Sequence, residues 1–487
     1  MPQKLKNLIN QIEIIDSSNL NNEIDIHGIS DDSREIKDNF IFVAVRGSVS
    51  NGNDYIEKLS SCNSILIITD DKQVFDLHKS KVNIALVENS RLTLSKLLNF
   101  YFDFPSRNIK TIGITGTNGK TTVSTLLFQS LRLLNKNVAL IGTNGIWIND
   151  EKKEATHTTP SVKELILLFK EFKAIGIEYV IMEVSSHSLD QHRVEFIDFD
   201  IAIFTNLTRD HLDYHITMEN YAKAKKMLFD KLSINSLAIL DSDDNWAEFM
   251  LSDCKAEIRK LSFAKKVDNY AIKIINSGIE GNKFEIENGS DVILIDSPLL
   301  SNFNIMNLSF VALSLDFLGF RSEVSDLLSK VKGPEGRMEK VNLKNGAIAV
   351  VDYAHTPDAL EKALKSLKEL TSKRVISVFG CGGDRDKGKR KLMGNISNQI
   401  ANLSIVTSDN PRTENPKAII DDIIVEMKGN FEIIVDRKAA IKKAVLLSES
   451  GDIILIAGKG HEKYQVVGTE KVFFDDFDEI KKANLEL

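Results

Sequence analysis

The sequence predicts an α/β protein built largely from parallel sheets, and three observations carry that expectation. Short β-branched runs alternate with amphipathic helical stretches almost from end to end. The runs are apolar on both faces, as strands covered by helices must be. One of them leads through a glycine-rich turn straight into a helix. In chain order, the N-terminal and central strands are expected at 40–45 (FIFVAV), 64–69 (SILIIT), 109–115 (IKTIGIT), 179–184 (YVIMEV) and 200–205 (DIAIFT). The C-terminal series is expected at 347–352 (AIAVVD), 375–380 (VISVFG), 404–407 (SIVT) and 453–457 (IILIA). The chain has 487 residues, which at roughly 150 per domain suggests about three domains. Turn clusters at FPSRN (104–108) and VKGPEGR (331–337) divide it into 1–106, 107–335 and 336–487. The expectation is a smaller N-terminal α/β domain, a central P-loop domain with a parallel or mixed sheet, and a Rossmann-like C-terminal domain.

Composition narrows the function classes. Hydrophobic residues make up 43% and charged residues 27% of the chain, enough apolar material for packed cores and against disorder. Lys and Arg number 62 against 69 Asp and Glu, for a formal charge of −7, and a nucleic-acid binder would carry a basic excess. Cys62, Cys254 and Cys381 form no C-x-x-C pair, which excludes a disulfide framework and a cysteine zinc site and suits a reducing compartment. No apolar run reaches the ~18 residues of a membrane helix. The opening MPQKLKNLINQIEII lacks the apolar core of a signal peptide. A cytoplasmic protein without a membrane segment is expected.

The strand IKTIGIT enters GTNGKTT (116–122) and then the helical stretch VSTLLFQSLRLL. Gly116 and Gly119, with Thr117 and Asn118 between them, let backbone N–H groups approach phosphate at a helix N-terminus. Lys120 is placed to reach the β/γ-phosphates of ATP, and the hydroxyl of Thr121, followed by Thr122, to ligate Mg²⁺. Ile114 stands where the general P-loop motif has its first glycine. Glu183 ends the strand EYVIME, at the carboxyl edge where open α/β sheets bind ligands, and is the best candidate for a Mg²⁺ carboxylate. His211 is a second metal candidate. His211 and His215 have the i,i+4 spacing of a zinc pair, but Leu212 replaces the glutamate that such a motif needs. His215 is therefore expected to be a structural histidine.

TGTNGKTT is followed in order by THTTP (156–160), MEVSSHSLDQHRV (182–194), FTNLTRDHLDYH (204–215), YAKAKKMLF (221–229), FNIMN (303–307), GRME (336–339), DYAHTPDAL (352–360), GCGGDRDKGKR (380–390), DNPR (409–412) and GKGHE (458–462). Together these motifs resemble the Mur ligase family, and within it the branch that adds meso-diaminopimelate to UDP-N-acetylmuramoyl-L-Ala-D-Glu. The resemblance spans about residue 30 to the C-terminus. It implies that the D-Glu carboxylate takes the γ-phosphate of ATP and that the amine of diaminopimelate then displaces phosphate. It implies that Lys225 is carbamylated, turning a cation into an anionic oxygen ligand, whereas in isolation a lysine beside Lys223 and Lys226 would read as part of a solvated face.

By the same resemblance, Asn307 looks like an adenine contact, Arg337 a phosphate contact, and Asp352 with His355 contacts to ribose and base. Asp31, Ser33 and the backbone of Ser48, Val49 and Ser50 match the family's uridine pocket. Thr158, Thr159, Ser185, Gln191 and Arg193 match its muramoyl-dipeptide contacts. Arg385, Asp409, Asn410, Pro411, Arg412, Gly458 and Glu462 form its diaminopimelate pocket. Arg412 is the expected discriminator, because a guanidinium grips the second carboxylate that diaminopimelate has and lysine lacks. GCGGDR and GKGHEK are not dinucleotide fingerprints, since Arg385 and Lys463 replace the final glycine. Two departures from the family pattern stand out: Glu335 separates Pro334 from Gly336, and NGND (51–54) has Asn51 and Asn53 where Asp and His are usual. The implied partners are small molecules acting on a monomer. Competing readings are a lysine-adding ligase, a folylpolyglutamate synthase without a uridine domain, and a P-loop ATPase or binding module without amide transfer.

Overall fold

The computed structural model describes the chain except residues 1, 19, 21, 48, 49, 60, 61, 63, 64, 156 and 265–269. It forms two compact units, Met1–Lys260 and Leu261–Leu487. Every strand expected from the sequence is present, with ends shifted by no more than a few residues.

Beside the short antiparallel pair Gln3–Lys4 and Asp25–Ile26, the first unit holds two larger sheets. The smaller has the strand order Asp16–Ser18, Ile84–Leu86, Leu66–Thr69, Phe40–Val43, Gly28–Ser30. All neighbours run parallel except the first pair. The strands Leu66–Thr69 and Ile84–Leu86 are buried throughout, which explains their unbroken apolar sequence. The larger sheet runs in the order Glu151–Lys153, Gly145–Ile148, Val138–Gly142, Tyr179–Glu183, Lys110–Thr115, Ile201–Phe204, Leu237–Asp241. Its last five strands are mutually parallel, and the first two form an antiparallel hairpin on the edge. The chain leaves Lys110–Thr115 to build one side of this sheet and returns to build the other. The carboxyl end of that strand is therefore the topological switch point, where α/β sheets open a ligand crevice.

The second unit begins with an antiparallel meander, Tyr270–Gly278, Gly281–Asn288 and Asp291–Ser297. The sequence reading overlooked it in part for a physical reason: Phe284, Ile286, Ile293 and Ile295 are buried while the residues between them are less so. Strand Gly281–Asn288 alternates apolar with polar, as a one-sided strand does, whereas Asp291–Ser297 contains the apolar run Val292–Ile295, which the sequence reading passed over. The larger sheet follows, in the order Glu339–Asn342, Ile348–Asp352, Ile453–Ala457, Val375–Phe379, Leu403–Val406, Phe431–Ile433. Only its first pair is antiparallel. Helices Pro357–Glu369, Gly388–Ile400 and Pro416–Ile424 supply one core. Helices Arg437–Leu447 and Asp476–Leu485 supply the other. This is the doubly wound, Rossmann-like arrangement expected.

Those last two helices are joined by an ion pair with no exposed side-chain surface. Arg437 donates from Nε to Asp476 Oδ1 at 2.8 Å and from Nη2 to Oδ2 at 2.7 Å. Nη2 also donates to the carbonyl of Ala457 at the end of a central strand. Removing one partner strands the other charge in the core. Asp476→Ala should therefore destabilise the protein by about 3–5 kcal/mol, measured as a shift in the urea unfolding midpoint; an unshifted midpoint would contradict it.

Candidate functional site

The phosphate loop sits at the switch point, and its backbone needs its glycines. Gly116 has φ +147° and Gly119 φ +90°. A Cβ on Gly116 would lie 1.9 Å from Thr205 Oγ1. Helix Lys120–Leu133 starts on Gly119 without a side-chain cap, leaving an N-terminus of the kind that receives anions. The loop is held from the segment after strand Ile201–Phe204. Thr117 N donates to the Asn206 carbonyl at 2.9 Å, and Asn118 N donates to Asn206 Oδ1 at 3.0 Å. Thr205 Oγ1 and Asn206 Nδ2 both donate to the Asn118 carbonyl, at 2.6 and 3.1 Å. Thr117 Oγ1 lies 3.2 Å from Tyr221 Oη and accepts from Thr208 N at 3.0 Å. Lys120 curls over its own loop, donating to the carbonyls of Gly116 and Thr117 at 2.8 and 2.9 Å. Thr122, the last residue of the motif, is buried in the helix.

Glu183 ends its strand beside this loop, 1% exposed. Thr121 Oγ1 and Thr143 Oγ1 each donate to Glu183 Oε2 at 3.0 Å, and Thr143 N donates to Oε1 at 3.2 Å. Gly142 lacks a side chain where a Cβ would come within 2.3 Å of Glu183 Oε1. Hydroxyl and carboxylate oxygens at the mouth of a phosphate loop are donors that suit Mg²⁺, which binds through one or two carboxylates and substrate phosphates. Among the described residues no group of three His, Cys, Asp or Glu side chains gathers as a metal cage.

Two adjacent lysines have opposite surroundings. Lys226, expected on a solvated face, is instead buried and paired with Asp230 and Asp253 at 2.5 Å each. Lys225, 1% exposed, donates to the Gly116 carbonyl at 2.9 Å and to Thr115 Oγ1 at 3.4 Å. Burial, followed by the Lys120 ammonium, holds the Lys225 amine well below the usual lysine range. Both lie on helix Met218–Asp230, capped by Thr217. Nearby, His211 stands at φ +52° with Nε2 3.5 Å from Asp210 Oδ2. Its ring contacts those of His187 and Tyr221, at centroid distances of 5.1 and 6.0 Å. His215 is buried and bonds Ser186 Oγ at 2.9 Å.

The residues matched to the donor substrate form a second hydrogen-bonded group. Thr158 Oγ1 lies 3.1 Å from Thr143 Oγ1. Thr159 Oγ1 donates to the Glu183 carbonyl and accepts from Ser185 N, at 2.8 and 3.1 Å. Arg193 donates to the Thr159 carbonyl at 2.9 Å and grips Gln191 Oε1 through Nε and Nη2. In the N-terminal sheet, exposed Asp31 and half-buried Ser33 follow strand Gly28–Ser30. Ser48 and Val49 lie outside the described residues, and Ser50 is exposed, its carbonyl accepting from Gly47 N at 2.9 Å. The two unusual asparagines serve the local fold. Asn51 caps the short helix Gly52–Tyr55, and Asn53 Oδ1 accepts from Thr69 Oγ1 at 2.8 Å.

The second unit carries the remaining candidates. Asn307 is buried in helix Asn302–Phe317 and donates to Asn304 Oδ1 at 3.0 Å. Asp352 accepts from Met338 N and Ala354 N at 2.8 Å each, so both carboxylate oxygens serve loop backbone. Burial pushes its carboxyl up. The Arg337 guanidinium lies 4.6 Å over the Tyr353 ring, and its Nε is buried without a hydrogen-bond partner. His355 bonds the Tyr353 carbonyl through Nδ1 at 2.9 Å, and burial pushes its imidazole down. The loop GRME meets GKGHE so closely that a Cβ on Gly336 would lie 2.2 Å from Gly460 C.

DNPR and GKGHE converge at the carboxyl end of the second sheet. Gly458 N donates to the Asp352 carbonyl at 3.1 Å, and a Cβ on Gly458 would sit 3.3 Å from Asp409 Oδ2. Asn410 Nδ2 donates to Glu462 Oε2 at 3.0 Å. Arg412, at φ +52°, donates from Nη1 to the Gly383 carbonyl at 2.7 Å. The Pro411 carbonyl lies where a Cβ on Gly383 would meet it at 1.9 Å. Arg385 is exposed, and a Cβ on Gly382 would lie 3.8 Å from its Cγ and 2.8 Å from Arg412 Nη1. Sequence reasoning missed Thr143, Thr205, Asn206 and Lys459. Thr143 is an ordinary polar residue in a turn, while Thr205, Asn206 and Lys459 stood inside quoted motifs without a role.

The first unit's geometry defines a P-loop nucleotide-binding protein, and comparison with known proteins adds the family. Residues 114–315 match the model of the Mur ligase middle domain, and residues 336–460 that of the Mur ligase glutamate ligase domain. The chain is 40% identical over 475 residues to the UDP-N-acetylmuramoyl-L-alanyl-D-glutamate–2,6-diaminopimelate ligase of Haemophilus influenzae, covering 94% of this chain and 96% of that protein. A solved structure of an enzyme of that name is 32% identical, with TM-score 0.75, covering 100% of this chain and 99% of the other. The MurF ligase of Thermotoga maritima, solved with ADP, shares the fold at 17% identity and TM-score 0.60, covering 94% of this chain and 98% of the other. The chain belongs to the Mur ligase family.

The aromatic cluster around His211 has a measurable pH signature. Burial first, then the neighbouring His211 and His215, push His187 from the usual 6.5 down to about 4. Between those values the unfolded chain takes a proton that the folded one refuses, so stability must fall as pH drops through this window. The melting temperature of the wild type should therefore fall more steeply from pH 6.5 to 4 than that of His187→Asn. Parallel curves would show that His187 makes no contribution.

Proposed function

We propose that this protein is an ATP- and Mg²⁺-dependent amide ligase that adds meso-diaminopimelate to UDP-N-acetylmuramoyl-L-Ala-D-Glu in peptidoglycan precursor synthesis. The observation that carries the reading is the 40% identity to a diaminopimelate ligase, which extends over 94% of the chain and so takes in both units. The division into 1–106 for the UDP-sugar, 107–335 for ATP and 336–487 for the amino acid is supported by the separate N-terminal sheet and by the family matches at 114–315 and 336–460. Residues 261–335 nevertheless pack within the second compact unit.

A carboxylate is a poor electrophile, so amide formation begins by making one of its oxygens a leaving group. The D-Glu carboxylate attacks the γ-phosphorus of ATP, ADP leaves, and an acyl phosphate results. The neutral amine of diaminopimelate then adds to the acyl carbon; inorganic phosphate departs and the nitrogen loses a proton. Phosphoryl transfer of this kind depends on positioning and charge neutralisation. The loop Gly116–Thr122 offers backbone donors and the Lys120 ammonium, which exchanges two loop carbonyls for phosphate oxygens. Thr121, Glu183, His211 and a carbamylated Lys225 are the proposed Mg²⁺ ligands. When bound, that cation neutralises charge on the phosphates and on the carboxylate oxygen. Asn307, Arg337, Asp352 and His355 are assigned to the nucleotide, with Asp352 acting by holding the GRME and DYAHTP loops together. Thr158, Thr159, Ser185, Gln191 and Arg193 are assigned to the muramoyl dipeptide. A monomer working in the cytoplasm, where nucleotide sugars and ATP are found, fits this role.

The Lys225 environment supports the modification. A buried amine kept unprotonated can add to CO₂, giving an N-carboxylate and releasing one proton. Lys226, with two carboxylates, stays an ammonium. Intact-protein mass or density at residue 225 should show the carbamate. Lys225→Ala should lose most activity and recover part of it with added short carboxylates. An active enzyme with an unmodified Lys225 would defeat the assignment.

The acceptor assignment is tested by phosphate release. Release should require the UDP-muramoyl dipeptide together with diaminopimelate, and lysine or ornithine should substitute poorly. ATP hydrolysis without an acceptor would favour an ATPase instead. At charge-assisted hydrogen bonds of ~1.5–3 kcal/mol, Arg412→Ala should cost roughly 10- to 150-fold in kcat/KM for diaminopimelate. Equal use of lysine and diaminopimelate by the wild type would overturn the assignment.

A further inference from the structure

Lys459 lies inside GKGHE with no exposed side-chain surface, and the chemistry described above leaves it without a role. Its ammonium donates to Asn410 Oδ1 at 3.1 Å and to Glu462 Oε2 at 3.3 Å, and stands 3.8 Å from Asp409 Oδ1. Its three polar neighbours are thus all residues assigned to the amino-acid pocket. The same Glu462 oxygen accepts from Asn410 Nδ2 at 3.0 Å, while Asn410 Oδ1 also accepts from Val466 N at 3.0 Å. The rotamers of Asn410 and Glu462 are thereby locked against one buried cation. Asp409 Oδ1 has no hydrogen bond of its own, and the 3.8 Å contact with Lys459 is a charge contact only.

Asp409 and Glu462 bring two negative charges and Lys459 one positive charge. The nearby buried Arg437 is already matched by Asp476. The cluster is therefore left with a single negative charge and an unsatisfied carboxylate oxygen. Buried charge on this scale needs a partner. A pocket one cation short takes one ammonium, whereas without Lys459 it would be two cations short.

We propose that Lys459 is a positioning residue for acceptor recognition. By fixing Asn410 and Glu462 and leaving the cluster one positive charge short, it presents a seat for one ammonium, the non-reacting amine of an amino acid whose adjacent carboxylate pairs with Arg412. This rests on the diaminopimelate reading, in which the second amine must remain unprotonated to attack. Lys459 touches no substrate and acts through the two side chains it holds.

The experiment separates positioning from general structure. In Lys459→Met and Lys459→Gln, KM for diaminopimelate should rise roughly 10- to 150-fold, as expected for charge-assisted bonds. KM for ATP and for the UDP-muramoyl dipeptide should stay at wild-type values, and kcat at saturating diaminopimelate should be largely kept. In ¹⁵N-lysine-labelled wild type, where folding is not in question, the sheltered Lys459 ammonium resonance should shift on adding diaminopimelate and stay put on adding a non-hydrolysable ATP analogue. An unmoved resonance, or three KM values rising together, would overturn the proposal. Failure of the wild type to use diaminopimelate at all would instead bring down the functional reading, so the two failures are distinguishable.

Discussion

A helix that receives phosphate must leave its first N–H groups uncapped, and the rest of the first unit is arranged around that demand. Many helices in this chain begin on a capping side chain, such as Asn89, Ser161, Ser185 or Thr217. The helix at Lys120 begins on Gly119 at φ +90° with no side-chain cap. A loop of this shape has little of its own to hold it. Asn206 and Thr205 do so from the neighbouring strand, meeting both the N–H and the carbonyl of Asn118. The packing is tight enough that even one methyl group on Gly116 would collide with Thr205. Rigidity here comes from the segment reaching across, whose Asn206 carbonyl and side chain take up Thr117 N and Asn118 N, while the N–H groups at the start of the helix are left for a ligand.

The same economy governs charge. The interior tolerates a charged group only when it is paired or neutralised. Arg437 with Asp476 and Lys226 with two aspartates follow the first course. Lys225 follows the second, one residue away on the same helix, because it is fully buried against the loop carbonyl of Gly116 and beside the Lys120 ammonium. The difference between neighbours arises from helix geometry. Consecutive side chains point about 100° apart, so one meets the phosphate loop and the other the acidic pair on the far side.

Strands buried on both faces were legible because their sequences are continuous apolar runs, as IKTIGIT and IILIA are. The phosphate loop was legible because glycine, lysine and threonine at fixed spacing have one physical use. In the meander at 270–297, strand Gly281–Asn288 alternates in character and offers no unbroken run, whereas the run VILI at 292–295 was there to be read and was passed over. Thr143, which clamps both oxygens of Glu183, sits in a turn forty residues upstream of it. No local pattern announces a contact made only when two strands lie side by side. The burial of Lys226 was equally hidden, since one of its two partners, Asp230, is local but the other, Asp253, is distant in sequence. The assignments of Asn307, Arg337 and His355 came from resemblance alone, and their surroundings in the fold, a buried asparagine and a stacked tyrosine, have no signature in composition.

The contact between Gly336 and Gly460 bears on how this fold can vary. Two backbones touching without side chains between them act like meshed gear teeth, so neither loop can shift without displacing the other. Length changes are then confined to the outer side of the mesh. Glu335 lies there, in a tight turn closed by Arg337 N donating to the Pro334 carbonyl at 3.2 Å. Glu335 sits before the teeth engage, while the loop beyond Gly336 is tied to Asp352 by the hydrogen bond from Met338 N.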